Sequence, residues 1–226
     1  MAVFNIVQSE AELEVRFQPR LWSLVHNVPR LYEALLSSLA VCQLSPNDLR
    51  PEGSGTVGGS SLTFWLFNFN VSVTIRLEGF SVRCNQLTNV SREQLVQVVD
   101  GIVMALGQAI DGLSILGSTV AYSGHGEVDG LQGSEVIGRF IKAGPAVEGF
   151  GENNGAGAAF YYGEAAPLLS SALTVDVSRV VVGGIFLRVV LAVAPVASNA
   201  ALIDLAVDRV VATFAALDLQ EASPWS

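Results

Sequence analysis

Hydrophobic and charged residues alternate strictly over residues 10–17, and this period of two is typical of a strand with one solvent-exposed face. Over residues 21–42 the spacing becomes helical, although Pro29 must bend or restart the helix. Residues 43–61 are rich in Pro, Gly and Ser, which predicts a long loop. The chain is therefore expected to begin with a strand, a helix and a loop.

Three strands and a second helix are predicted next. Apolar residues occupy both odd and even positions over residues 61–69, which is typical of a central strand covered on both faces. Two alternating runs, 71–77 and 80–85, flank Glu78-Gly79, and this arrangement predicts a hairpin. Residues 91–94 match a capping box, in which a Ser and a Gln side chain satisfy free backbone N–H groups at a helix start.

The second half of the chain repeats this order. We predict a strand (115–122), a Gly-rich turn (122–129), a short helix (134–142), a loop (143–157), strands (158–163, 173–177 and 185–193) and a helix that Ser198 caps. Three pairs of markers have nearly equal spacing: Gly79 and Gly184 are 105 residues apart, Phe17 and Tyr122 are 105, and Ser91 and Ser198 are 107. This regularity indicates an internal duplication.

The repeated unit has the order strand, helix, three strands, helix. It predicts an α+β fold in which each unit contributes antiparallel sheet with helices on one face, the units being residues 1–112 and 113–226, fused into one compact body. In topology alone this order resembles the TATA-binding-protein-like folds. The resemblance implies a curved sheet and carries nothing about function.

Charge and composition limit the partners. The net charge is −9, the only lysine is Lys142, and the eleven arginines form no cluster. Nucleic acid is not an expected partner, because a basic face supplies most non-specific affinity for phosphate backbones. Half of the residues are hydrophobic and 15% are charged, so the chain is expected to fold.

Several features favour a cytoplasmic protein that uses no cofactor. The first residues lack the cationic start of a signal peptide, and the apolar stretch 180–196 is interrupted by Arg188 and Pro195, which favours buried strands over a membrane span. Cys42 and Cys84 are predicted to be buried thiols, with no metal-ligand spacing among Cys and His residues. The excess of Arg over Lys, with abundant Ala, Val and Gly, suggests a bacterial genome rich in GC.

Residues 53–58 fit the letter of the dinucleotide fingerprint G-x-G-x-x-G. A working fingerprint follows a strand and opens a helix, whose N-terminus holds the pyrophosphate. Here a proline-containing loop precedes the glycines and a predicted strand follows them. A loop without a nucleotide is the preferred interpretation.

Ser123, His125 and Asp129 are the candidate catalytic residues. A hydroxyl, an imidazole and a carboxylate are the groups of a nucleophile, a base and an orienting acid, which must meet in space. The alternative is that these residues belong to a solvated turn, where Ser, Gly and Asp are common.

The candidate ligand-binding residues lie on two predicted aromatic strands. The first contains Phe64, Trp65 and Phe67, and the second contains Phe160, Tyr161 and Tyr162. Such aromatic residues are either part of the core or, on a curved sheet with one uncovered face, the lining of an apolar groove.

Three functions follow, in order of preference. The first is a non-enzymatic binding or assembly protein that associates with itself or with another protein, since strongly apolar strands and few charges favour a covered surface. The second is a protein that binds a small apolar ligand in a cavity between sheet and helices. The third is a hydrolase that uses Ser123 and His125.

Overall fold

The fold is that of a computed structural model, which describes residues 2–52, 59–139 and 157–221. The strands are β1 (Ala2–Gln18), β2 (Arg50–Glu52), β3 (Ser61–Leu66), β4 (Val71–Ile75), β5 (Gly79–Cys84), β6 (Ser114–Val128), β7 (Ala158–Gly163), β8 (Leu168–Val177), β9 (Ile185–Val193) and β10 (Leu219–Glu221). The helices are α1 (Ser23–His26), α2 (Val28–Ser38), α3 (Arg92–Ala109), α4 (Gly133–Gly138) and α5 (Asn199–Ala216).

These strands form one open sheet in the order β2-β3-β4-β5-β1-β6-β9-β8-β7, with β10 parallel to the first residues of β1. Every other neighbouring pair is antiparallel. The long strands β1 and β6 pair from Phe4 opposite Val128 to Gln18 opposite Ser114. The prediction of an α+β fold with an antiparallel sheet is therefore confirmed.

Burial alternates along the strands, so that one face of the sheet forms the core. On β4, Val71, Val73 and Ile75 are buried, whereas the residues between them are only partly covered. Helix α5 packs on this face, where the ring of Phe214 meets Tyr122 edge-on at 6.0 Å between ring centroids. Alternate side chains of each strand lie on opposite faces of the sheet. The helices remove the apolar side chains of one face from water, and the side chains of the other face remain mainly polar.

Local hydrogen bonds define the helix starts as predicted. The N–H of Gln94 donates to Ser91 Oγ at 3.2 Å, and the N–H of Ser91 donates to Gln94 Oε1 at 2.8 Å, which completes the capping box of α3. Ser198 accepts from the N–H of Ala201 in the same way. Pro29 lies in the first turn of α2, where its missing N–H has no intrahelical partner to lose, so the helix restarts there.

The predicted Gly-rich turn at residues 122–129 is wrong, because β6 continues to Val128. Gly124 and Gly126 are strand residues that leave room for neighbouring rings. A Cβ at Gly124 would lie 2.9 Å from the Tyr122 hydroxyl, and one at Gly126 would clash with the Asn5 carbonyl of β1 and lie 2.7 Å from the Phe4 ring. Glycine within a strand commonly marks such a close approach.

Two further predictions are corrected at the outer strands. The predicted loop at residues 43–61 contains β2, and β2 makes β3 the second strand of the sheet instead of a central one. The aromatic strand β7 ends the sheet on the other side.

Two segments named in the sequence analysis lie outside the described residues. They are residues 53–58, which carry the fingerprint-like glycines, and residues 140–156, which include Lys142. Within the described ranges, no helix is both long and apolar enough to cross a membrane.

Candidate functional site

His125 lies on the face of the sheet opposite the core. Its register partners are Gln8 on β1 and Phe186 on β9, and its ring stacks at a tilt on Phe186 with 4.7 Å between centroids. Its Nδ1 atom is 2.9 Å from Ser178 Oγ, in the turn before β9. The hydroxyl that contacts the imidazole is therefore that of Ser178, which no sequence pattern singles out.

The hydrogen bonds of Ser178 determine which atom carries the proton. Its Oγ accepts from the N–H groups of Val180 at 3.1 Å and Val181 at 2.8 Å. Because both lone pairs are then occupied, the hydroxyl donates to His125 Nδ1 and the imidazole proton is on Nε2. Burial lowers the pKa of His125, while the carboxylate of Glu10 acts in the opposite direction. The imidazole is thus neutral near pH 7.

The structure does not join Ser123 and Asp129 to His125 by a described hydrogen bond. Ser123 shares the face of His125, two residues earlier on β6, with Glu10 and Arg188 opposite it. Asp129 follows the strand, and its Oδ1 accepts from Asn5 Nδ2 at 2.6 Å. Ser178 Oγ is engaged by two backbone N–H groups of its own turn, and Ser123 lies two residues along β6 from the imidazole on the same face.

The two aromatic sets lie far apart. Six strands separate β3 and the turn after it, which carry Phe64, Trp65 and Phe67, from β7, which carries Phe160, Tyr161 and Tyr162. Phe64 is fully buried, whereas Trp65 and Phe67 are partly covered near the β3–β4 turn. Phe160 packs on the core, and Tyr161 and Tyr162 are exposed. The two sets therefore do not line a common groove.

A cavity of about 50 Å³ lies between the sheet and helices α3 and α5. Its walls are almost entirely apolar: Ala11, Leu13, Val82, Cys84, Leu95, Val99, Val120, Tyr122, Ile203, Ala206 and Val210, together with Glu12. Pockets for small molecules usually measure about 300–1,000 Å³. This space has the size of a packing gap, and it touches none of the six candidate aromatic residues.

Cys42 and Cys84 are free and buried, as predicted. Burial raises the pKa of both thiols, which keeps them protonated and unreactive near pH 7. Across the described ranges, no group of three or more His, Cys, Asp or Glu side chains could hold a metal ion.

The uncovered face of the sheet is polar. Strand β1 places Glu10, Glu12 and Glu14 along its centre, and Arg83 donates to Glu10 Oε2 at 2.6 Å. Towards β3 the side chains are mainly Ser and Thr, such as Thr63 and Thr74 with hydroxyls 3.3 Å apart. This mixture of charges and hydroxyls makes the face stable in water along β1 and towards β3, whereas Ala121, Phe186 and Val190 make it more apolar over β6 and β9.

The two outer edges of the sheet differ in kind. At one edge β2 has three exposed residues, Arg50, Pro51 and Glu52, and charge and proline are the usual means of blocking strand addition. At the other edge β7 has the sequence Ala-Ala-Phe-Tyr-Tyr-Gly, without charge or proline, and Tyr161 is 81% exposed. We call the outer side of residues 158–163 the β7 edge. Among the described residues, no strand pairs with it.

The surroundings of β7 hold it in place. Glu164 forms an ion pair with Arg209 of α5 and accepts from Ser171 Oγ at 2.6 Å, so its charge is directed into the protein. Six residues of β7 pair with β8, from Ala158 opposite Val175 to Gly163 opposite Ser170. The β7 edge is therefore an ordered row of backbone donors and acceptors.

Comparisons with known proteins add no assignment. No protein-family model matches the chain, and no curated protein sequence matches it significantly. Function has to be argued from the geometry.

Proposed function

We propose that this chain is a non-enzymatic binding or assembly protein that associates with a second copy of itself through the β7 edge. The observation that carries the proposal is an ordered, uncharged aromatic edge strand with an 81% exposed Tyr161. Soluble proteins usually protect such strands, because their free N–H and C=O groups recruit another chain.

The pairing would be antiparallel and symmetric. A two-fold axis perpendicular to the sheet can place Tyr161 opposite Tyr161, so that residues 159–163 of β7 form both sides of the interface. Tyr161 lies on the polar face of the sheet, opposite Ala172 of β8. In the pair, Tyr161 of each copy would stack across the new strand boundary, as cross-strand aromatic residues do.

An internal duplication would explain why one edge is open. In this proposal the units, residues 1–112 and 113–226, are related by the general order strand, helix, strands, helix, and support comes from their first strands, β1 and β6, which are neighbours at the centre of the sheet. The topological likeness to TATA-binding-protein-like folds belongs to the same proposal. In the first unit β2 covers β3, whereas in the second unit no described strand covers β7. A second copy would supply the missing cover.

The setting is proposed to be the cytoplasm of a bacterium. Support comes from the two free, buried cysteines and from the Arg-rich, Lys-poor composition. The acidic net charge of −9 argues against nucleic acid as the partner. Neither the small apolar cavity nor the environment of His125 favours the ligand-binding and hydrolase alternatives.

The test is the solution mass, measured by light scattering after size exclusion over about a hundredfold range of concentration around micromolar. We expect the wild type to form a dimer, and Tyr161→Lys to be monomeric because a lysine on an edge strand opposes pairing. The matched control is Val182→Lys, which adds the same charge at a 99% exposed valine away from the edge.

Val182→Lys is expected to remain dimeric. A wild type that is monomeric at every concentration would refute the proposal. A dimer that survives Tyr161→Lys would also refute it, because association would then use another surface.

A further inference from the structure

A cavity without an assigned role lies at the β3–β4 turn, and we call it the turn cavity. Its volume is about 740 Å³, within the usual range of about 300–1,000 Å³ for small-molecule sites. It is lined by Val41, Cys42, Gln43, Asp48, Arg50, Trp65, Leu66, Phe67, Asn68, Phe69, Asn70, Asn89 and Gln94. It is remote from the β7 edge, with the width of the sheet between them.

Unfavourable backbone conformations concentrate around this cavity. In the described ranges, five residues other than glycine have left-handed φ angles: Gln43, Phe67, Asn68, Phe69 and Asp218. The first four of them line the turn cavity. Non-glycine residues in this region are unfavourable, and they occur preferentially where a binding site requires them.

Phe69 is the least expected of these residues. The N–H of Asn70 donates to the carbonyl of Phe67 at 3.1 Å, so Asn68 and Phe69 occupy the two central positions of the turn, with φ angles of 54° and 67°. Positive φ at both positions defines a type I′ turn, which favours Asn and then Gly. Phe69 is also 69% exposed, so burial within the chain does not compensate for its conformation.

Two aromatic rings and an arginine lie together at the turn cavity. The rings of Trp65 and Phe69 are 6.3 Å apart between centroids, and the guanidinium of Arg50 lies 5.2 Å from the centroid of Trp65. The cation fixes the indole from one side, as cation–π contacts do. The Phe69 ring is inclined by 50° to the Trp65 ring, and its exposed face offers an apolar surface to a ligand.

The polar groups of the cavity are mostly neutral amides. Gln43, Asn68 and Asn89 have no described side-chain hydrogen bond. The two charged residues, Asp48 and Arg50, have opposite signs. Hydrogen bonds from the Ser45 side chain and backbone lower the pKa of Asp48, so it is an anion and an acceptor near neutral pH.

We propose that the turn cavity binds a neutral carbohydrate. An amide both donates and accepts, as a sugar hydroxyl does, and the apolar C–H face of a sugar ring fits an exposed aromatic ring. A charged ligand would meet one charge of each sign, and a lipid would leave the amides unpaired. The residues in contact would be Phe69, Asn68 and Asn89, with Asp48 as an additional acceptor.

The test uses a panel of free sugars: glucose, galactose, mannose, N-acetylglucosamine, maltose and cellobiose. Each is titrated up to about 10 mM into the purified full chain by isothermal calorimetry, a range that detects a Kd near 1 mM. We expect at least one sugar to bind, with a change in tryptophan fluorescence from Trp65. No binding by any sugar of the panel would overturn the proposal.

The decisive variant is Phe69→Gly. Glycine adopts the left-handed conformation freely, so the urea midpoint of unfolding should rise, while the affinity for the sugar should fall by about tenfold with loss of the stacking ring. Phe69→Tyr keeps the ring and should bind like the wild type. Unchanged affinity in Phe69→Gly, with its fold intact, would overturn the site assignment.

The control separates this site from the proposed function. Tyr161→Lys, whose exposed aromatic residue lies at the β7 edge, should bind the sugar normally even if it is monomeric. Phe69→Gly should keep the mass of the wild type. Loss of sugar binding in Tyr161→Lys would overturn the turn cavity as the independent site.

Discussion

The imidazole of His125 lies between the ring of Phe186 and the hydroxyl of Ser178 on the polar face of the sheet. The hydroxyl donates to Nδ1, so protonation of the imidazole would place a second hydrogen between the two atoms and break the contact. Glu10 is the acidic group that acts on this histidine, and Arg83 already engages its carboxylate. Desolvation therefore outweighs the attraction, and the pKa of His125 falls.

A pH dependence of stability follows. Because the pKa of His125 is lowered in the folded state, the unfolded chain binds the proton first as the pH falls. The contribution of His125 to the free energy of unfolding is complete above the pKa of the unfolded state, about 6.5. It is lost as the pH falls from there towards the lower pKa of the folded state. We expect the wild type to lose more free energy of unfolding between about pH 7.5 and 5 than His125→Asn, measured by urea titration.

The variant is chosen to preserve the contact. The Asn Oδ1 atom can occupy the position of Nδ1 and accept from Ser178, but the side chain does not titrate. The wild type and His125→Asn carry the same carboxylates. The effects of those carboxylates therefore cancel when the free energies of unfolding of the two proteins are subtracted. Parallel curves for the two proteins would show that His125 has the same pKa folded and unfolded.

At the scale of elements, β6 shows how a glycine-rich strand can be mistaken for a turn. Gly124 and Gly126 alternate with Ser123 and His125, and the glycines are on the face covered by aromatic rings. Glycine in sequence indicates only that the backbone is free, whereas the Tyr122 and Phe4 rings that require the space come from the fold.

Two glycine substitutions should therefore have opposite effects. Gly126→Ala is expected to reduce the free energy of unfolding by about 1–3 kcal/mol, because its Cβ would clash with the backbone carbonyl of Asn5 on β1 and would lie 2.7 Å from the Phe4 ring. Gly107→Ala, at an exposed position in the last turn of α3, has no atom within 4 Å of the new Cβ and should increase it by about 0.5–1 kcal/mol. Urea unfolding followed by circular dichroism measures both. A neutral Gly126→Ala would contradict the close approach of β6 to Phe4 and Asn5 of β1.

Elements defined by neighbours in sequence were predictable. The hairpin at Glu78-Gly79 and the capping box of Ser91 and Gln94 depend on hydrogen bonds within four residues, so the residue types suffice. The position of β7 depends on which strands lie beside it. Aromatic content is high both in central strands and at this edge, and composition does not distinguish the two.

At the scale of the molecule, one core connects both halves of the chain. Strand β1 pairs with β6 along most of its length, and α3 and α5 are joined by an ion pair between Arg92 and Asp204 and by a hydrogen bond of 2.8 Å from Asn199 to Asp100. The buried residues of both halves belong to a single cluster. If the chain were divided between residues 112 and 113, the paired edges of β1 and β6 would be exposed.

The chain should accordingly unfold in one transition. In Trp225→Phe, fluorescence reports on Trp22 and Trp65 of the first half only, whereas far-ultraviolet circular dichroism reports on all elements. We expect the urea midpoints of the two signals to coincide, as in a two-state domain. Two separated midpoints would mean that the halves are independently stable domains.

The sequence by itself determined the α+β class, the antiparallel hairpins, the capped helices and the buried thiols, because period, turn residues and capping residues act over a few positions. The tertiary structure alone decided that Ser178 meets His125, that β7 is an uncovered edge and that four left-handed residues surround one cavity. Each of these depends on strands or turns that are distant in the chain, and local pattern carries no information about which distant segments become neighbours.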